Sequence, residues 1–363
     1  MNPKLLMTLL LGLMLLVGAG LAKGDQLNVV SWDGDYVRSQ ILGFIRPYEE
    51  ETGVRVNVIQ YSGGIDEIRQ QVRAWNVSWD VVDMEMTDAM RACREGLLEP
   101  LDPDTLPDGD DGTPAGEDFV DGTLLPCGVG NIVSSTVVSF RSDGFDEAPQ
   151  HIRDFFDLNK YPGRRGLRRS PQGNLEWALI ADGVPREDVY EVLSTDDGLD
   201  RAFEKLSRIK PYIDWWRTGE EAVRLLETEQ VVMSAIYSGR VYSARERSVP
   251  LETLWDHQLW QYDVWVIPRH GRNIELARDF VRYATSTRSL AQQANLIPYG
   301  PVRRSAMAHV EPEMREQLPT AEQNMGTALA IDVVWWAENM DRIERRFERW
   351  VERPVMVPRR LPR

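Results

Sequence analysis

At 363 residues, 42% of them hydrophobic and 27% charged, the chain is too long for one small core and too apolar to be disordered. Its formal net charge of −15 at pH 7 opposes binding to nucleic acid or to an anionic lipid surface. The acidic excess reads as a solubility feature of the whole surface, so arguments about ligands must rest on particular acids.

The N-terminus carries Lys4, then an apolar run from Leu5 to Val17, then Gly18, Ala19, Gly20, Leu21 and Ala22. That order predicts a secretory signal peptide, residues 1–22, cleaved near Ala22. The run is shorter than the ~20 apolar residues needed to span a bilayer, and no Cys follows it to carry a lipid. No membrane insertion of the mature chain is expected, and its compartment is expected to be the periplasm. Export into an oxidising compartment allows the two cysteines, Cys93 and Cys127, to form one disulfide; two buried thiols are the alternative.

Leu27–Ser31 reads as a strand ending at Trp32. Ile41, Phe44, Ile45 and Tyr48 follow helical spacing, and Gly53 ends that helix. Val54, Val56 and Val58 alternate as a strand, Ile65, Ile68, Val72 and Trp75 return to helical spacing, and Asp80–Asp83 carries a third strand. This β-α-β-α-β order implies a parallel sheet with right-handed crossovers. Leu101–Asp121, rich in Asp, Gly and Pro, reads as a surface loop without the spacing of an EF-hand. A strand is expected over Ile132–Phe140, helices over Glu176–Ala181, Leu199–Ile209 and Glu220–Glu227, and β structure over Val231–Tyr237. Gln261–Ile267 alternates, which puts Asp263 on the same side as Trp265 and Ile267. Leu276, Ala277, Phe280 and Val281 form another helical stripe, and the Pro- and Arg-rich end reads as a flexible tail over 354–363.

The chain contains no G-x-S-x-G, no Walker loop, no Rossmann glycine pattern and no H-E-x-x-H. Its four histidines and two cysteines form no metal-ligand spacing, so neither a cofactor nor a metal site is expected. Ligands of open α/β sheets sit beyond the carboxyl ends of the strands. The first such end carries Trp32, Asp33, Gly34, Asp35 and Tyr36; the second Tyr61, Ser62, Gly63 and Gly64; the third Asp83, Met84, Glu85 and Thr87. Aromatic faces cover apolar parts of a ligand and carboxylates meet cationic heads, which suits ammonium groups on an alkyl chain.

Ten stretches carry a family resemblance: VSWDGDY (30–36), ETGVRV (51–56), WDVVDME (79–85), GLLEPLD (96–102), CGVGN (127–131), DLNKYPG (157–163), ALIADGV (178–184), IYSG (236–239), WVIP (265–268) and IPYGP (297–301). In this order the chain resembles the spermidine/putrescine-binding family of periplasmic solute-binding proteins, from about Leu27 to about Trp350. The resemblance implies a two-lobed type II periplasmic binding protein fold of α/β class, with the ligand cleft between lobes. Lobe one is expected over 25–132 and 262–300, lobe two over 133–261 and 301–353, with a hinge near 130–135. It implies a receptor, not an enzyme, that passes a polyamine or related small cation to an ABC permease and its ATPase. It further implies ligand contacts from Trp32, one of Asp33 and Asp35, Tyr36, Glu85, Glu176, Tyr237, Asp263 and Tyr299. Gln261 stands where the family has an aromatic, two residues before Asp263, which departs from simple polyamine recognition.

Each of these has a blander reading. Trp32 could be a core aromatic, Asp33 or Asp35 could cap the following helix, Glu176 could complement a helix N-terminus, and Asp263 could pair with a structural Arg. The alternatives at the level of function are the same fold holding thiamine, an amino acid, a betaine or a phosphonate, a sensor component, or an exported hydrolase.

Overall fold

The computed structural model describes residues 25–354; the expected signal peptide and residues 355–363 of the expected tail lie outside the described residues. The N-terminal half alternates as its hydrophobic pattern requires. Strand β1 (Gln26–Ser31) leads into an unbroken helical stretch, Gly34–Thr52, that loosens to a π-turn over Ile41–Ile45. Gly53 stops it in the left-handed region (φ 74°), where a side chain would be strained. Strand β2 (Arg55–Gln60), the helix Asp66–Arg73, strand β3 (Val81–Glu85) and the helix Met86–Arg94 follow. β1 pairs in parallel with both β2 and β3, as right-handed crossovers demand.

Two long strands then tie the molecule together. β4 (Gly128–Arg141) and β8 (Leu251–Val266) run antiparallel for almost their whole length, from Val129 opposite Trp265 to Arg141 opposite Leu251. Between them in sequence lie β5 (Arg165–Arg168), β6 (Ile213–Trp216) and β7 (Met233–Tyr237), giving the spatial order β2-β1-β3-β8-β4-β7-β5-β6. β3 joins β8 antiparallel at one end and β7 joins β4 antiparallel at the other, so the β4–β8 pair belongs to both halves.

The apolar residues partition accordingly. One cluster, from Val137 through Trp177, Phe203 and Met233 to Trp336 and Trp350, fills lobe two. Two others fill lobe one on either face of its strands: Phe44, Tyr48, Trp265 and Phe280 on one side, Val30, Ile68, Val82 and Val264 on the other. Val302, Ala306, Val310 and Met314 belong to the lobe-one cluster, so residues 301–318 pack with lobe one rather than with lobe two as the sequence suggested.

The C-terminal helix, Val333–Glu352, buries Trp336, Met340, Ile343, Phe347 and Trp350 in lobe two. Its outer side meets lobe one through Arg91–Asp341 (2.5 Å) and Arg94–Glu338 (3.4 Å). Cys93 and Cys127 are bonded, with Cα atoms 5.9 Å apart. The bond fastens the end of the helix Met86–Arg94 to the segment entering β4. No helix among the described residues is long and apolar enough to cross a membrane.

Candidate functional site

The cleft lies where the carboxyl ends of β1, β3 and β7 meet the middle of β4 and β8. β1 delivers Trp32 and Asp33, and the first turn of the next helix delivers Tyr36. Trp32 lies against Tyr61 at 4.9 Å between ring centroids, and Tyr36 meets Tyr299 edge-on at 5.3 Å. These rings make an aromatic wall on the lobe-one side.

The floor is built by pairing register. Glu85, the last residue of β3, stands directly opposite Asp263 of β8, and Ile132 of β4 stands opposite Asp263 on the other side. Asp263 is buried, and its carboxylate's only protein hydrogen bond among the described residues comes from the Ser134 hydroxyl, 2.9 Å away. Burial pushes its carboxyl well above the usual range, and the neighbouring carboxylates Asp83 and Glu85 push it the same way. Asp83 lies behind the wall, fully buried, accepting from Tyr36 (2.7 Å), Gln40 (2.6 Å) and Asn131 (2.9 Å). Desolvation raises it to about 7, against the pull of those hydrogen bonds. Glu85, by contrast, is paired with Arg168 from β5 across the cleft. The Tyr237 hydroxyl also donates to Glu85, at 3.4 Å.

Lobe two supplies cations at the other side of Tyr299. Arg240, in the helix Ser238–Glu246, is 3% exposed. It binds Asp33 at 2.7 Å and Glu220 at 2.8 Å, while its Nε has no partner among the described residues. The helix Gly219–Glu227 points its N-terminus into the cleft at Thr218 and Gly219, and Arg217 precedes it. Asp33 accepts the Glu220 backbone N–H (3.3 Å) as well as the Arg240 guanidinium. It thus caps a helix of the opposite lobe and not its own. Gly34 has positive φ (58°), and a β-carbon there would run into Glu220 and Arg240. Burial pushes the Tyr299 phenol above its ordinary range; Arg240 pulls it down, while Asp263 and Asp33 push it further up.

Of the nine residues expected from sequence, Trp32, Asp33, Tyr36, Glu85, Tyr237, Asp263 and Tyr299 line this one cleft. Two do not. Asp35 is paired with Arg247 outside the cleft lining, so of the two acids Asp33 alone faces the cleft. Glu176 is fully buried in lobe two, where it accepts from Trp336 Nε1 (2.6 Å), Tyr190 (2.9 Å) and the Gly173 N–H (2.8 Å). Those donors satisfy it, so it is a structural acid. Sequence reading missed Ser134, Arg168, Arg217 and Arg240. The T-x-x-E spacing at Thr218 and Glu221 was a legible helix start, and Arg240 lies three residues past a strand end. Nothing local marks Arg168 as reaching across to Glu85.

Residues 43–320 match the family model described as bacterial extracellular solute-binding protein. The chain belongs to that family. Its members are solute-binding receptors of ABC importers and not enzymes. A gamma-aminobutyric acid-binding protein of Pseudomonas aeruginosa is 37% identical over 335 residues, covering 92% of this chain and 93% of that protein. Among solved structures, the periplasmic binding protein MotA of A. tumefaciens B6 in complex with glucopine superposes with a TM-score of 0.83 at 25% identity. It covers 90% of this chain and 99% of that one. A structure described as a GABA receptor superposes with a TM-score of 0.79 at 28% identity, covering 92% and 99%. The two-lobed periplasmic binding protein fold expected from the sequence is therefore the fold of this chain.

Proposed function

We propose that this receptor binds a small zwitterion carrying an ammonium and a carboxylate a few carbons apart, of which gamma-aminobutyrate (GABA) is the model, in the periplasm. The observation that carries the reading is the pairing of poles in one cleft: Asp263, a buried carboxylate with no ion pair among the described residues, and Arg217, a cation with no ion pair among the described residues, together with the Nε–H of Arg240, whose other guanidinium nitrogens are taken by Asp33 and Glu220. An ammonium at Asp263 supplies the positive charge that the buried acid lacks. A carboxylate at the other pole meets Arg217, Arg240 and the start of the helix Gly219–Glu227, which favours anions. Trp32, Tyr36, Tyr237 and Tyr299 enclose the methylenes between.

A polyamine fits this arrangement less well: the other acids that line the cleft, Asp33 and Glu85, are already paired with Arg240 and Arg168, and Gln261 offers no aromatic face. The 37% identical relative named for gamma-aminobutyric acid supports the zwitterion. Closing the lobes on the ligand presents the bound form to an ABC permease and its ATPase.

A thermal-shift panel of GABA, putrescine, spermidine, agmatine, thiamine, glycine betaine and butyrate tests the reading. A ligand at about 100 times its Kd stabilises the folded protein by about 2.7 kcal/mol. GABA is expected to raise the melting temperature most; a larger shift with a diamine than with GABA would refute the proposal.

A further inference from the structure

Asp33, Glu85 and Asp263 of lobe one line the cleft, and lobe two answers two of these acids. Arg240 takes Asp33 and Arg168 takes Glu85, while the Asp263 carboxylate has only the Ser134 hydroxyl among the described residues. The number of acids left for a ligand is therefore set by the protein's own arginines.

Glu85 and Asp263 are neighbours. They face each other in the register of β3 and β8, and side chains directly opposite in an antiparallel pair have β-carbons about 4.5–5.5 Å apart. Both line the same cleft, so without a resident cation they would form a paired-acid floor that two positive groups would satisfy. Arg168, the last residue of β5, crosses from lobe two to this floor. Its Nη1 donates to Glu85 Oε1 at 2.5 Å, and its guanidinium stands 5.9 Å from the centre of the Tyr237 ring. The Arg168 and Glu85 side chains are 20% and 9% exposed, so the pair is largely out of water. Removing one partner leaves the other charge with little solvent to answer it.

The room for the guanidinium comes from Gly63. A β-carbon there would lie 3.3 Å from Arg168 Nη2 and 3.2 Å from the Trp32 ring, and the backbone is left-handed (φ 91°). Trp32 follows β1, Gly63 follows β2 and Glu85 ends β3. The guanidinium thus occupies the carboxyl ends of three strands, where an open α/β sheet holds its ligand.

We infer that Arg168 is a resident counter-ion filling a second ammonium subsite at Glu85, and that it makes the receptor select ligands with a single positive charge. Without it, the same floor holds a short diamine, one ammonium at Asp263 and the other at Glu85. This rests on the zwitterion reading and names the residue that leaves an acidic cleft with one place for a cation. Arg168 acts through Glu85, as a specificity-determining residue.

Calorimetric titration of GABA and putrescine at neutral pH into the wild type, Arg168→Met and the double variant Arg168→Met/Glu85→Gln tests it. The ratio of the putrescine Kd to the GABA Kd is expected to fall by about tenfold or more in Arg168→Met, the value of one charge-assisted hydrogen bond gained by the diamine. In the double variant, where residue 85 carries no charge, the ratio is expected to return to within about threefold of the wild type. An Arg168 that only supports the fold or holds the lobes closed would weaken both ligands alike. An unchanged ratio in Arg168→Met therefore overturns the inference, and so does a putrescine gain that survives Glu85→Gln. Arg168→Gln, which keeps an amide toward Glu85, carries the same test if Arg168→Met fails to fold. A wild type that binds putrescine as tightly as GABA overturns the zwitterion reading itself; a wild type that prefers GABA, with the ratio unmoved in Arg168→Met, overturns only the role of Arg168.

Discussion

An aspartate opposite a glutamate in the register of two paired strands is an unstable arrangement unless something positive separates them. Glu85 has Arg168; Asp263 has only a serine hydroxyl. Burial and the adjacent acids push the Asp263 carboxyl well above the ordinary carboxylate range, and an ammonium bound there pulls it back down, so binding is expected to release a proton wherever the carboxyl is still protonated. The sign follows. Affinity for an amine is full above the raised pKa and falls as pH drops through it, by about tenfold per unit, until the ligand competes with a whole proton. Titration of GABA in buffers of different ionisation enthalpy should therefore show proton release that vanishes at higher pH, and no release at any pH would contradict the assignment. Asp263→Asn should weaken GABA by about 30- to 150-fold, or 2–3 kcal/mol, and should leave the ligand-free protein as stable or more stable at neutral pH, because a buried carboxyl that resists ionisation has been removed. Glu176 separates from it cleanly. Glu176→Ala removes the acceptor of three donors, the buried Trp336 indole and the part-buried Tyr190 hydroxyl and Gly173 N–H, and should cost about 2–4 kcal/mol of stability by thermal or urea melting with GABA affinity within twofold. The sequence could place Glu176 near a helix start but could not show Trp336, 160 residues later, donating to it.

Elements with strict periodicity were readable and those with broken periodicity were not. The alternation of Gln261–Ile267 announced a strand, but β8 begins at Leu251, where Glu252, Asp256, His257 and Gln258 hide it. The C-terminal helix carries its buried residues at 336, 340, 343, 347 and 350, a spacing of four and three that was available to be read. Segment 301–318 has short helical turns and no period, so its allegiance to lobe one appears only in packing. The cysteines were legible as a possible pair, and the fold brings them together at the end of the helix that starts beside Glu85, about two turns away from it. Replacing both with Ser should destabilise the protein by about 3–4 kcal/mol in the chain-entropy account, read as a lower denaturant midpoint, while GABA affinity stays within twofold. A loss of binding equal to the loss of stability would mean that this helix end also shapes the cleft.

At the scale of the molecule the lobes meet through charges. Asp33, Asp35 and Glu85 of lobe one pair with Arg240, Arg247 and Arg168 of lobe two, and Arg91 pairs with Asp341 of the C-terminal helix. Several of these are partly exposed, so salt screens them, with a Debye length near 10 Å at about 0.1 M and near 3 Å at about 1 M. Small-angle scattering should show the ligand-free protein expanding as salt rises over that range, and the GABA-saturated protein staying compact; an unchanged ligand-free radius would show that the pairs do not hold the lobes. The two-lobed architecture and the aromatic wall were legible because they follow from strand ends. The ligand's sign pattern was not, because the cations that balance the acids come from the other lobe. The central claim is that one cleft binds a negative and a positive group together. Calorimetric titration of GABA, putrescine and butyrate into the same protein at fixed ionic strength tests it most directly. GABA should bind at least about 100-fold, or 2.7 kcal/mol, more tightly than either singly signed analogue. Putrescine binding as tightly as GABA would contradict it.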